Sequence, residues 1–249
     1  MWSERGPLRY ERLTWPEVRR AAAEAVDRVV LLPAIPHGYD PHHMDFPGAI
    51  TIGWDTFTRY CADVGRSLAH HGFRRMLFLN GHGSNQNLVE MAARLVMVER
   101  PEVLAAAAFY LASPEAAAVI ERVRDSSRGG MAHACELETS IYLAIDPGAV
   151  DMDLAVDERG YPEGEHAWLD WSDGSLKLMP WWSAFSRSGV QGDATRATAA
   201  KGRALLEAAV AECVAYVDEL LAKPLPERRQ PTEGSGEPQG GAPVDRLRP

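Results

Sequence analysis

The chain has 249 residues, of which 46% are hydrophobic, so it is long and apolar enough to bury one sizeable core. Its net charge of −9 argues against a nucleic-acid partner, because phosphate binding needs concentrated lysine and arginine. Residues 1–15 lack the apolar segment of a signal peptide, and no later run is apolar and uncharged for long enough to span a bilayer. We therefore expect a cytoplasmic protein that binds neither nucleic acid nor membrane. The three cysteines lack the paired spacing of a zinc cluster or a disulfide scaffold, which predicts reduced and mostly buried thiols.

The first half of the chain alternates short apolar runs with longer helical patterns. A predicted strand at residues 29–32 leads into a polar loop over residues 34–48. Apolar residues at three- and four-residue steps predict a helix over residues 57–68. A second buried strand, residues 76–79, is followed at once by Asn80-Gly81-His82-Gly83-Ser84-Asn85 and a further helix. Side chains such as His82 are thus expected at the carboxyl end of a strand, where open α/β sheets bind their ligands.

The second half of the chain continues the same alternation. A strand is predicted at residues 103–111 and a helix at residues 114–123, and a glycine pair precedes a helix that ends near Pro147. Residues 193–221 predict a long final helix. The pattern is typical of an α/β protein with a mostly parallel central sheet flanked by helices. We expect one domain over residues 1–225 and a disordered Pro/Gly-rich tail over residues 226–249.

Three loops carry side chains suited to catalysis or metal binding. His82 is flanked by glycines that leave its imidazole uncrowded, although a structural role is an even alternative. His133 and Glu136 lie three residues apart at a helix start, so they can converge on one volume, or Glu136 can simply favour the helix dipole. The third loop is the richest in candidate ligands, unless it is only an exposed polar connection. It contains His37, Asp40, His42, His43 and Asp45.

Four separated motifs resemble those of the creatininase family, which includes creatinine amidohydrolases. The segment from His43 to Ile50 is similar to the family's His-x-x-Phe-Pro-Gly-Thr-Ile loop, and the turn around His82 resembles its Asn-Gly-His-Gly-Gly-Asn turn. The segment from His133 to Ser140 resembles His-Ala-Gly-Glu-x-Glu-Thr-Ser, and residues 189–193 resemble a late Gly-x-x-Gly-Asp turn. The resemblance runs from about Leu13 to Leu221.

The resemblance implies a three-layer α/β fold, assembly as a homo-oligomer, usually a hexamer, and metal-dependent hydrolysis of a C–N bond in a small amide. One or two divalent ions, Zn, Mn or Fe, would be bound in each subunit. Carried over by position, His82 would be a metal ligand, Glu136 a metal ligand and catalytic carboxylate, and His133 a substrate contact or proton shuttle. His43 and Asp45 would line the substrate pocket, and the tryptophan-rich stretch that includes Trp182 would close over the substrate or pack between subunits.

One part of the family pattern is missing. The family places Glu-x-His-Gly-x-His and then an Asp after its first strand, and no such segment follows the apparent opening helix at residues 13–18. An alternative alignment puts residues 3–7 on this motif, which retains Glu4 but substitutes Arg5 for the His. We expect nearby groups of the third loop, such as His37, Asp40 or His42, to replace the missing ligands. The alternative is a metal-deficient family member that serves as a non-catalytic binding or assembly subunit.

Overall fold

The computed structural model describes residues 29–228. Within this range the helices are α1 (Trp54–His70), α2 (Gln86–Glu99), α3 (Pro114–Val123), α4 (Glu136–Ile145) and α5 (Ala199–Ala222). The strands are β1 (Arg75–Asn80), β2 (Leu104–Phe109), β3 (Met131–His133), β4 (Asp157–Glu158) and β5 (Gln191–Asp193). No helix in this range is long and apolar enough to traverse a bilayer.

Strands β1 and β2 form a parallel pair with helices on both faces. Because successive side chains of a strand point to opposite faces, Met76 and Phe78 pack against α1 and α2, whereas Leu79 packs against α5. Gly65 allows α1 to approach α2 closely, since a Cβ atom there would lie 2.6 Å from the side chain of Val96. These three layers confirm the predicted α/β class and the parallel sheet flanked by helices.

A second core joins the remaining elements. Strands β3, β5 and β4 form an antiparallel sheet in that order, and α4 packs along α5. Gly202 on α5 permits this contact, because a Cβ atom there would lie 1.9 Å from the carbonyl oxygen of Ser140. Leu137, Ile141 and Leu205 are almost completely buried between these helices. The packing fixes the start of α4, and with it the direction in which the side chains of its first turn point.

Several predicted elements match the structure and two differ from it. Helix α3 has the predicted bounds, and all three cysteines are free and buried as expected. Residues 29–32 do not form a strand: Val30, Leu31 and Leu32 are exposed, and this segment pairs with no described strand. The final helix begins at residue 199 rather than 193, because residues 191–193 belong to β5. The predicted opening helix and most of the predicted tail lie outside the described residues.

Candidate metal centre

The turn after β1 fixes the backbone of His82. The Asn80 side chain donates to the carbonyl oxygen of His82 at 2.8 Å and accepts from its amide at 3.2 Å. The Asn80 carboxamide also donates to Gln86 on α2. This arrangement explains the asparagine of the motif: it ties the end of the strand to the turn. The His82 ring is consequently held at the carboxyl edge of the parallel sheet, as predicted from the sequence.

The 34–48 loop is held against the same turn. Asn85 accepts a hydrogen bond from the amide of Tyr39 at 2.9 Å. Gly38 touches the Asn85 side chain so closely that a Cβ atom at residue 38 would lie 2.3 Å from the Asn85 Nδ2 atom. The amide of Asp40 donates to the Thr51 hydroxyl at 2.8 Å. Asp40 thus lies next to His82, although 42 residues separate them in the sequence.

Three imidazoles surround the Asp40 carboxylate. Its Oδ1 atom lies 2.6 Å from His43 Nδ1, 3.4 Å from His42 Nε2 and 3.5 Å from His82 Nε2. His42 and His43 occupy the short 3-10 helix Pro41–His43, which begins directly after Asp40 and turns both rings back towards it. Ligand atoms of Asp40, His42 and His43 all lie within 4.8 Å of one another. We call Asp40, His42, His43 and His82 the imidazole cluster.

The charges of this cluster suit a bound cation. Burial alone would raise the pKa of Asp40, but the hydrogen bond with His43 and the neighbouring His82 ring outweigh it and hold this pKa well below its usual range. Burial, together with the neighbouring His43 ring, lowers the pKa of His42 to about 4. At neutral pH, Asp40 is therefore ionised and His42 is neutral, which are the protonation states of metal ligands.

His43 supplies an additional sign of a cation site. An ionised carboxylate only accepts hydrogen bonds, so the proton between His43 Nδ1 and Asp40 lies on the ring nitrogen. In the neutral form of the ring the Nε2 atom then carries a free lone pair, and in the structure this atom is buried without a hydrogen-bond partner. A carboxylate that orients an imidazole through one nitrogen while the other binds metal is a recurrent arrangement in metal sites. The residues present therefore fit a divalent cation.

An aromatic wall adjoins the imidazole cluster. The His133 ring stacks on His43 with ring centroids 4.2 Å apart, and the buried Trp182 ring lies 4.6 Å from His43 and 5.0 Å from His133. The Trp182 indole N–H donates to the carbonyl oxygen of Gly189, which fixes the ring. Burial, together with the neighbouring His43 and His82 rings, holds the pKa of His133 well below its usual range. The structure thus brings His133 and Trp182 to the same place as His82.

The carboxylate that approaches these rings from α4 is Glu138. Its Oε2 atom lies 4.0 Å from His133 Nδ1. Burial raises the pKa of Glu138, and the nearby His82 and His43 rings oppose this increase. Glu136 is engaged elsewhere: it is fully buried and accepts hydrogen bonds from two backbone amides of residues 125–126 and from Lys201 Nζ. Glu136 was predicted to be a metal ligand, but its contacts are structural: they connect the start of α4 to residues 125–126 and to Lys201 on α5.

The remaining predicted residues lie at the periphery. His37 is exposed and is not part of the group of converging ligand atoms found among the described residues, whereas His42, the other candidate substitute, is part of it. Asp45 is exposed and accepts a hydrogen bond from Ser183, next to Trp182, which connects the 34–48 loop to the aromatic wall. No spacing rule selects His42 over His37. His42 differs from His37 in that it directly follows a proline and directly precedes His43, and this was the available sequence signal.

Comparison with known proteins agrees with the four motifs. The creatininase family, described as creatinine amidohydrolase, matches residues 6–217. The mycofactocin precursor peptide peptidase of Mycobacterium tuberculosis is 32% identical over 200 residues, which is 80% of this chain and 70% of the relative. The creatinine amidohydrolase of Pseudomonas putida is 28% identical over 152 residues, or 56% of this chain and 58% of the relative.

Solved structures share the fold. A crystal structure of creatinine amidohydrolase superposes with a TM-score of 0.68 at 24% identity and covers 84% of this chain and 81% of that one. A zinc-containing creatininase mutant gives the same TM-score, identity and coverage. The similarity in sequence along most of the chain and the common fold lead to one conclusion: this chain belongs to the creatininase family, a family of hydrolases.

Proposed function

We propose that this protein is a metal-dependent hydrolase that cleaves a C–N bond in a small polar amide, with the imidazole cluster as its cation site. The observation that carries the proposal is that His42 Nε2 and His82 Nε2 lie 3.4 and 3.5 Å from Asp40 Oδ1, beside a His43 ring whose buried Nε2 atom has no hydrogen-bond partner. Donor atoms that share a tetrahedral zinc ion lie roughly 3.3 Å apart. Asp40, His42 and His82 therefore need only small shifts to close around an ion.

The ligand set differs from the one expected from the family. Asp40, His42, His43 and His82 would hold the ion, and the first three come from a single loop segment. Two of them, Asp40 and His42, occupy positions outside the family motifs recognised in the sequence. Solved creatininases include zinc and manganese forms, which supports a first-row divalent cation here. When bound, such an ion polarises a carbonyl oxygen and lowers the pKa of a coordinated water.

The residues beside the cluster can move a proton and exclude water. His133 is neutral because of its lowered pKa, so its ring can accept a proton from the attacking water and return it to the leaving nitrogen. Glu138 lies 4.0 Å from His133 Nδ1, where a carboxylate stabilises the protonated ring. Trp182 covers the rings of His43 and His133 and keeps bulk water away from them. Asp45 and Ser183 lie at the rim, where they can contact a polar substrate.

The names of the relatives support amide substrates. One is a peptidase and another an amidohydrolase, and both names denote cleavage of an amide C–N bond. A third relative, the 3-dehydro-scyllo-inosose hydrolase of Thermotoga maritima, is 27% identical over 193 residues, which is 69% of this chain and 59% of the relative. We infer a small polar substrate, either a cyclic amide such as creatinine or a short peptide, and a homo-oligomeric assembly as in the family expectation.

The test measures metal content and hydrolysis in the same preparations. The full chain is stripped with a chelator and loaded with Zn²⁺ or Mn²⁺, its metal content is measured by mass spectrometry, and it is assayed on cyclic amides, formamides and short peptides. We expect close to stoichiometric metal in the wild type, loss of metal in His82→Ala, and retained metal with lost turnover in His133→Ala. His70→Ala, an exposed histidine on α1, is the matched control.

The alternative is a family member that binds a partner without catalysis. It is motivated by the missing Glu-x-His-Gly-x-His segment, which supplies part of the metal site elsewhere in the family. Absence of bound metal under every loading condition, together with absence of turnover, would support this alternative and overturn the hydrolase proposal.

A further inference from the structure

The hydroxyl of Ser84 lies 2.5 Å from His82 Nε2, the ring nitrogen that faces Asp40. The short 3-10 helix Gly83–Asn85 begins directly after His82 and carries Ser84 back over the ring. The family motif recognised in the sequence has Gly at this position, so the hydroxyl is a feature of this chain. Ser84 is half-buried, as is the His82 side chain at 29% exposure.

The arrangement is not that of an activated serine nucleophile. In a Ser-His-Asp triad the hydroxyl and the carboxylate contact opposite nitrogens of the imidazole. Here Ser84 Oγ and Asp40 Oδ1 both face Nε2, at 2.5 and 3.5 Å. The carboxylate therefore cannot orient the ring for proton removal from this hydroxyl.

The contact has a direct consequence for metal binding. A metal-bound imidazole needs a free lone pair on the ligating nitrogen, and a serine hydroxyl can donate its proton to that lone pair. The cation must then replace the hydrogen bond from Ser84 to reach His82.

We propose that Ser84 is a positioning residue that holds His82 Nε2 in the cation-free protein and competes with the cation for it. This inference rests on the proposed function, since it concerns the same cation site. Ser84 fixes the ring orientation and at the same time weakens cation binding. A hydrogen bond of ordinary net strength corresponds to about a 3- to 10-fold change in affinity.

The test compares Ser84→Gly, the family residue, and Ser84→Ala with the wild type. Ser67→Ala is the control, because the Ser67 hydroxyl bonds only a backbone carbonyl of α1. Zinc affinity is measured by calorimetry with a competing chelator, and the ¹⁵N resonance of His82 Nε2 is recorded without metal. We expect about 3- to 10-fold tighter zinc binding and a displaced Nε2 resonance in both Ser84 variants, and neither change in Ser67→Ala.

Unchanged or weaker zinc binding in both Ser84 variants would overturn the proposal, as would an unmoved Nε2 resonance. If the wild type takes up no zinc, uptake by Ser84→Gly supports the competition, and lack of uptake by every variant overturns it. Tighter zinc binding without hydrolysis of any amide refutes the proposed function while supporting the role of Ser84. Loss of a zinc-independent hydrolysis in Ser84→Ala would show a nucleophile and overturn the proposal.

Discussion

Replacement of Asp40 by Asn tests the assignment of the imidazole cluster most directly. The two side chains have nearly the same shape, so the substitution removes the negative charge and leaves the loop packing intact. In the structure three ring nitrogens lie 2.6, 3.4 and 3.5 Å from the Asp40 Oδ1 atom. A hydrogen bond to a charged group contributes about 1.5–3 kcal/mol, which corresponds to roughly a 10- to 100-fold change in affinity. We therefore expect Asp40→Asn to weaken zinc binding by about 10- to 100-fold.

The measurement is a titration of the metal-free protein with zinc in competition with a chromogenic chelator at neutral pH. His37→Ala is the matched control, because His37 lies in the same loop but is exposed and outside the cluster. Its zinc affinity should equal that of the wild type. The assignment would be refuted by an Asp40→Asn variant that binds zinc as the wild type does, or by an equal loss in His37→Ala.

Three further predictions concern stability. Glu136→Gln should lower the free energy of unfolding in urea by about 1–3 kcal/mol and leave zinc affinity unchanged, because it weakens the charge-assisted hydrogen bonds that Glu136 accepts from two backbone amides and from Lys201, while Lys201 keeps its ion pair with Asp125. Gly202→Ala should lower the melting temperature and cost about 1–3 kcal/mol, since its Cβ atom would overlap a carbonyl oxygen of α4. Burial would raise the pKa of Glu158, but hydrogen bonds from the 186–188 turn outweigh this effect and lower the pKa to about 2. The contribution of Glu158 to folding stability should therefore be complete above about pH 5 and be lost as the pH falls towards 2. At pH 7 the wild type should be more stable to unfolding than Glu158→Gln by about 1–3 kcal/mol. This difference should become smaller as the pH falls from about 5 to 2, and an increase over that range would contradict the reasoning.

The position of His82 followed from a general rule, whereas the choice among neighbouring residues did not. Side chains that follow a parallel strand meet at one edge of the sheet, which placed His82 at the site. Glu136 and Glu138 lie within one turn of α4, and a helix turns about 100° per residue, so only one can face the imidazoles. Which one does so depends on how α4 docks on α5, through contacts such as Gly202 with Ser140 that are distant in the sequence.

The same limitation applies to the 34–48 loop and to residues 29–32. The choice of His42 over His37 depends on the contact of Gly38 with Asn85, a long-range contact without a local sequence signal. The apolar run at residues 29–32 satisfied the pattern of a strand. A strand also needs a neighbour with free backbone groups, and that requirement cannot be read from the run itself.

Gly38 contributes no ligand atom, but it determines how closely the two parts of the site approach each other. Asn85 is held by the amide of Tyr39, so its side chain cannot swing aside without breaking that bond. Any larger residue at position 38 would clash with Asn85 and push the loop that carries Asp40 away from the turn that carries His82. The distance between the two halves of the proposed cation site thus depends on the absence of a side chain at residue 38. Libraries that seek new metal specificity in this protein should leave residue 38 untouched and vary the ligands around it.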